Sequence, residues 1–104
     1  MDKNLKLTRK EIHTINQNIE SIQIQFRARS VLEFMKKLIY ENNGFLRISV
    51  RNINILYGEK HFKFSMHSMD KVIDELVRLE LLKVDKSRKT TAYFLGESEF
   101  EEVL

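Results

Sequence analysis

Met69-Asp70-Lys71-Val72-Ile73-Asp74-Glu75-Leu76-Val77-Arg78-Leu79-Glu80-Leu81-Leu82-Lys83-Val84 is the stretch on which the reading of the fold turns. Met69, Val72, Ile73, Leu76 and Leu79 recur at helical spacing, so one face of a helix is apolar and the other carries Asp70, Lys71, Asp74 and Arg78. Ser65 or Ser68 can cap that helix, which is expected to run to about Glu80. Leu81 to Asp85 and Thr90 to Leu95 are β-prone runs on either side of the polar turn Lys86-Ser87-Arg88-Lys89. Helix followed directly by hairpin is the expectation.

Working towards the N-terminus, Ser49 can cap a short helix from Val50 to Tyr57, with Val50, Ile53 and Leu56 inward and Gly58 ending it. Residues 59–64 then form a loop. Phe45-Leu46-Arg47-Ile48-Ser49 alternates in part and reads as a strand. Ser30-Val31-Leu32-Glu33 has the form of a capping box, opening a helix that Asn42-Asn43-Gly44 stops. A second capping box, Thr8-Arg9-Lys10-Glu11, precedes Ile12, Ile15, Ile19, Ile22 and Phe26, spaced as a narrow apolar stripe on one helix. Such a stripe serves either as a two-helix dimer seam or as a face laid across its own domain. The dimer seam is the preferred expectation, because the remaining domain can supply its own core.

The composition narrows the function classes. In 104 residues there are no Cys, no Pro and three Gly, which leaves no disulfide, no thiolate nucleophile and no zinc ribbon. Neither GxGxxG nor GxxxxGK[ST] is present, and the longest apolar run is Ala92-Tyr93-Phe94-Leu95. Met1-Asp2-Lys3-Asn4 lacks the apolar core of a signal peptide, so a cytoplasmic protein is expected, nucleoid-associated in a prokaryotic or viral host. His13, His61 and His67 form no ligand spacing with a third partner. No catalytic, metal-binding or cofactor-binding residues are expected, no small-molecule substrate is evident, and the chain should act through its surface. The net charge of +3 hides a split. All 18 Lys and Arg lie in residues 1–96 against 11 acidic residues, whereas Glu97-Ser98-Glu99-Phe100-Glu101-Glu102-Val103-Leu104 carries four acids and no base. A basic body favours a polyanionic partner.

The order helix, strand, helix, helix, strand, strand from Ser30 onward resembles the winged helix-turn-helix family. The likeness is carried by Met69 to Val84, which is similar to a recognition helix running into the first wing strand, and by Thr91-Ala92-Tyr93-Phe94-Leu95 as the returning strand. The fold this implies is α+β and mainly helical: a winged helix-turn-helix with an additional N-terminal helix and a three-stranded wing sheet. Its divisions are residues 1–29, an N-terminal helix and dimerisation element, 30–96, the winged-helix domain, and 97–104, an acidic tail. Two features depart from the pattern. Many members have Gly where Glu80 stands, and the loop 59–64 is longer than a tight helix-turn-helix needs.

The resemblance makes double-stranded DNA the expected partner. The N-terminal side chains of a recognition helix reach base edges in the major groove, which here are Ser65, His67, Ser68 and Lys71, with Arg78 further along. Lys83, Lys86, Arg88 and Lys89 on the wing are placed for phosphates, opposed only by Asp85. Arg47 and Arg51 flank the start of the preceding helix, and Lys60, His61, Lys63, Arg9, Lys10, Arg27 and Arg29 extend the basic surface. The bland reading of the helix face is solvation with pairs such as Asp74 and Arg78, and of the lysines, edge protection. Phe62, Phe64, Tyr93 and Phe94 are expected to pack in the core or wing. The expected function is sequence-specific duplex binding as a homodimeric transcriptional regulator, the dimer contact being Ile12, Ile15, Ile19, Ile22 and Phe26. The alternatives are a winged-helix protein-interaction module in a larger assembly, or a plasmid-partition or replication-origin DNA-binding protein.

Overall fold

A computed structural model describes residues 6–96; the acidic segment 97–104 lies outside the described residues. Four helices, α1 (Arg9–Asn18), α2 (Ile22–Glu41), α3 (Val50–Lys60) and α4 (Met66–Arg78), accompany three strands, β1 (Leu46–Arg47), β2 (Leu82–Asp85) and β3 (Ala92–Leu95). The strands form one antiparallel sheet in the order β1-β3-β2. The class is α+β and mostly helical. No described helix is long and apolar enough to cross a membrane.

Thr8 caps α1 as expected. Its hydroxyl accepts from Glu11 N at 3.1 Å and the Glu11 carboxylate accepts from Thr8 N at 2.8 Å, which closes the capping box. The helix does not continue through Phe26. It ends at Ile19 in extended conformation, and Ser21 caps a new helix by accepting from Ile24 N. The break is held by groups that take up orphaned carbonyls: Gln25 Nε2 donates to Ile19 O at 2.6 Å, and Arg78 donates to Asn18 O at 3.2 Å.

Ser30 therefore starts nothing, contrary to the reading of 30–33 as a capping box. No Gly or Pro interrupts 22–41, so the helix runs straight through. The Ser30 hydroxyl is shared instead with the Tyr57 hydroxyl at 2.6 Å. The expected seam is consequently divided. Ile15 and Ile19 are buried in this chain's own core, while Ile22 and Phe26 stand exposed on the next helix.

One buried ion pair locks α1 to α2. Glu11 and Lys36 are 1% and 3% exposed, and Lys36 Nζ reaches Glu11 Oε1 at 3.0 Å and Lys6 O at 3.1 Å. Two desolvated charges survive there because each is both paired and hydrogen-bonded. Around them Ala28, Val31, Leu32, Met35 and Ile39 of α2 pack on Met69, Val72, Ile73 and Leu76 of α4. The four α4 residues are those its spacing marked as inward.

Helix α3 passes through Gly58 to Lys60, three residues beyond Tyr57, where it was expected to stop. Gly58 acts as a landing for Lys63, whose Cγ would lie 3.2 Å from an added Cβ. Tyr57, not Leu56, takes the inward position, edge-on to Phe34 and stacked on His61 at 4.6 Å. The α3–α4 connection is braced by Asn54 Nδ2 donating to Phe64 O and by Arg27 lying 4.9 Å over the Phe64 ring. Phe62, expected to pack, is 66% exposed.

At the other end of α4 the missing glycine is met by Glu80 itself, which adopts φ +63°. Leu81 N then bonds Leu76 O at 3.0 Å, closing the helix and turning the chain into β2. The glycine that this turn does require is Gly96. Its N–H donates to Leu81 O, and a Cβ there would sit 2.1 Å from the Glu80 carbonyl oxygen.

Candidate nucleic-acid interface

The candidate residues on α4 divide along its length. His67, Lys71, Asp74 and Arg78 fall on the face opposite the buried Met69, Val72, Ile73 and Leu76, and all four are exposed. At the N-terminus, Ser65 is the cap: its hydroxyl accepts from Ser68 N at 3.0 Å and donates to Ser68 Oγ at 3.0 Å. The two serines are thus tied to each other, and His67 and Lys71 are the outward-reaching polar side chains of that end. Arg78 stands about 16 Å from His67 along the axis. It pairs with Glu75, not with Asp74, and bridges to Asn18 O at the α1–α2 break. Arg78 thereby braces two helices at the end remote from His67.

Asp70 and Asp74 are both exposed on α4, and their charges act on Tyr93 of β3. Burial pushes the Tyr93 hydroxyl above its ordinary range, and the charges of Asp70 and Asp74 push it further. Asp74 thus places acid on the same outer face as His67 and Lys71.

The hairpin end gathers what the linear sequence scatters. Arg47 on β1 and Asp85 on β2 are both in register with Ala92 on β3, so the two side chains share one face across a small residue. Arg47 reaches along the hairpin and donates to Thr90 O at 2.7 Å. Asp85 accepts from Ser87 N at 2.9 Å, and this hydrogen bond, with lesser help from the Arg47 and Arg88 charges, holds its carboxyl below the usual range. Lys86, Arg88 and Lys89 follow, all exposed on the connection between the strands. Lys83 faces outward beside Phe94, whose ring stacks on Phe45 at 5.8 Å. Arg51 is exposed in the first turn of α3, whose cap Ser49 accepts from Asn52 N.

Arg47 and Arg88 thus both act on Asp85, and Lys86 and Lys89 flank Arg88 on the exposed connection. Thr90 is the member the sequence reading missed. Asp85 was visible as the only acid in the run, but the Arg47–Thr90 bond spans 43 positions and leaves no local trace. Among the described residues no three His, Asp or Glu side chains come together as a metal site. His61 lies instead against Tyr57 and Phe34.

Set against protein-family models, curated proteins and solved structures, the chain finds no match. The case for function rests on the geometry alone.

Proposed function

We propose that this protein binds double-stranded DNA as a winged helix-turn-helix regulator of transcription, with the N-terminal half of α4 in a major groove and the hairpin along neighbouring phosphates. The observation that carries this reading is the braced hairpin: Arg47 pinned to Thr90, with Lys86, Arg88 and Lys89 exposed around it. A preorganised cationic loop loses little entropy when it meets a phosphate backbone. The order α2-β1-α3-α4-β2-β3 and the strand order β1-β3-β2 support the same family. In this arrangement Lys71 and His67 read base edges, and Arg51 and Lys83 add phosphate contacts. Asp70 and Asp74 keep the backbone away from the middle of α4, so the contact is made at its N-terminus and at the hairpin. Duplex binding also suits partition or origin recognition, which shares this chemistry.

A second reading is favoured by one observation. Ile55, Phe62 and Met66 are exposed together around the α3–α4 connection, as on a protein-interaction module. Fluorescence anisotropy with labelled duplexes at low salt separates the two. DNA binding predicts saturable binding that Lys86→Ala/Arg88→Ala/Lys89→Ala weakens, with Lys71→Ala relaxing sequence preference. No binding to any duplex at low salt overturns the proposal in favour of the second reading.

A further inference from the structure

Helix α2 carries two features on its outward face that fit each other. Ile22, Phe26, Arg29, Glu33, Lys37 and Tyr40 are spaced by three and four residues, so they form one stripe opposite the buried Ala28, Val31, Leu32, Met35 and Ile39. The first half of the stripe is a projecting apolar knob, with Ile22 78% and Phe26 53% exposed. The second half borders a groove of about 300 Å³ between α2 and the end of α3, lined among others by Ser30, Phe34, Lys37, Leu38 and His61.

We infer that α2 pairs with α2 of a second copy of this chain, antiparallel, about a two-fold axis passing near residue 31. Three observations select this occupant. With the axis at residue 31, position i faces position 62 − i, which sets Arg29 against Glu33 of the second copy, and Glu33 against its Arg29. The same operation sets Ile22 against Tyr40 and brings Phe26 level with position 36, one residue's rise from the exposed Lys37 stem. The knob of each copy thereby meets the groove of the other, as an isologous contact requires. A parallel pairing sets Arg29 on Arg29, Glu33 on Glu33 and Phe26 on Phe26, leaving both grooves unfilled.

Arg29 is free to take part. One of its nitrogens is held by Asn16 Oδ1 at 2.6 Å, which fixes the guanidinium, and the remaining N–H groups of the fork stay available to a carboxylate. A helix pair of this length buries less than the ~800 Å² per partner of a standard interface, so the dimer is weak and concentration-dependent. The inference does not rest on DNA binding, and its test contains no nucleic acid.

Sedimentation velocity of the full chain over a concentration series is the first measurement. The expected result is a monomer–dimer equilibrium that Glu33→Arg weakens by about tenfold or more and that Arg29→Glu/Glu33→Arg restores. The second measurement uses the absence of native cysteine. Ile22→Cys and Tyr40→Cys are prepared separately at these exposed positions and oxidised alone or as an equimolar mixture. Antiparallel pairing keeps like positions about 27 Å apart, so only the mixture forms a disulfide-linked dimer. A monomer at every concentration, or Ile22→Cys linking to itself as fast as to Tyr40→Cys, overturns the inference.

Discussion

The Glu11–Lys36 pair and the Arg47–Asp85–Arg88 group are both assemblies of opposite charge, and they do opposite work. The first is sealed between α1 and α2, with both side chains hydrogen-bonded and almost no solvent contact. The second lies at the solvent edge of the sheet, where its acid is satisfied by Ser87 and its bases outnumber it. Buried charges must be balanced in full, because a leftover charge has no water to turn to. Exposed ones can carry a surplus, and a surplus is what a polyanion recognises. The contrast separates the charges that hold the fold from those left exposed on its surface.

Breaking the buried pair should have the largest effect. Lys36→Ala strands the Glu11 carboxylate in the core and is expected to cost about 3–5 kcal/mol, seen as a lowered urea midpoint. Glu11→Leu/Lys36→Met removes both charges and should lose much less, although the capping box goes with Glu11. If the single and double variants lose equally, the pair is not desolvated as described.

The surface group should behave otherwise. Lys86→Ala/Arg88→Ala/Lys89→Ala is expected to leave the stability from urea unfolding within about 0.5 kcal/mol of the parent while weakening duplex binding. A smaller effect tests the turn that delivers the chain to the hairpin. Glu80→Gly relieves a left-handed backbone position and should stabilise by up to about 1 kcal/mol, the gain being limited by the greater freedom of glycine in the unfolded chain. The smallest effect belongs to Asp85. Its folded carboxyl titrates below the ordinary range, so whatever it contributes is fully present above about pH 4 and fades as pH falls through the lowered value. An NMR titration checks that order, and Asp85→Asn should slightly tighten duplex binding by removing the one acid in the run.

What could be read in advance follows the range of the interactions. Thr8 and Ser49 are legible as caps because a cap bonds within three residues, Ser65 is one of two that the sequence offers for α4, and the apolar spacing of α4 names its buried face. The choice between Ser21 and Ser30 is not legible, because both precede apolar runs. It is decided by Gln25 on Ile19 O and by Tyr57 on Ser30, contacts made at a distance. Lys36 at a helical position reads as a solvated lysine until Glu11 is brought against it. On the candidate interface the cluster Lys83, Lys86, Arg88 and Lys89 is legible in the sequence, while the place of Arg47 beside it depends on strand register and the Arg47–Thr90 bond. The narrow isoleucine stripe misled for the same reason: its regular spacing crosses a break that only tertiary contacts create.

The central claim is that the surplus charge of the braced hairpin meets phosphates. The most direct measurement is the dependence of duplex affinity on salt for the parent chain and for Lys86→Ala/Arg88→Ala/Lys89→Ala. Each phosphate contact contributes about 0.9 to the slope of log K against log salt. The account predicts a steep slope for the parent and a slope shallower by up to about 3 for the variant, one contact being lost with each side chain. Equal slopes for the two proteins would contradict it.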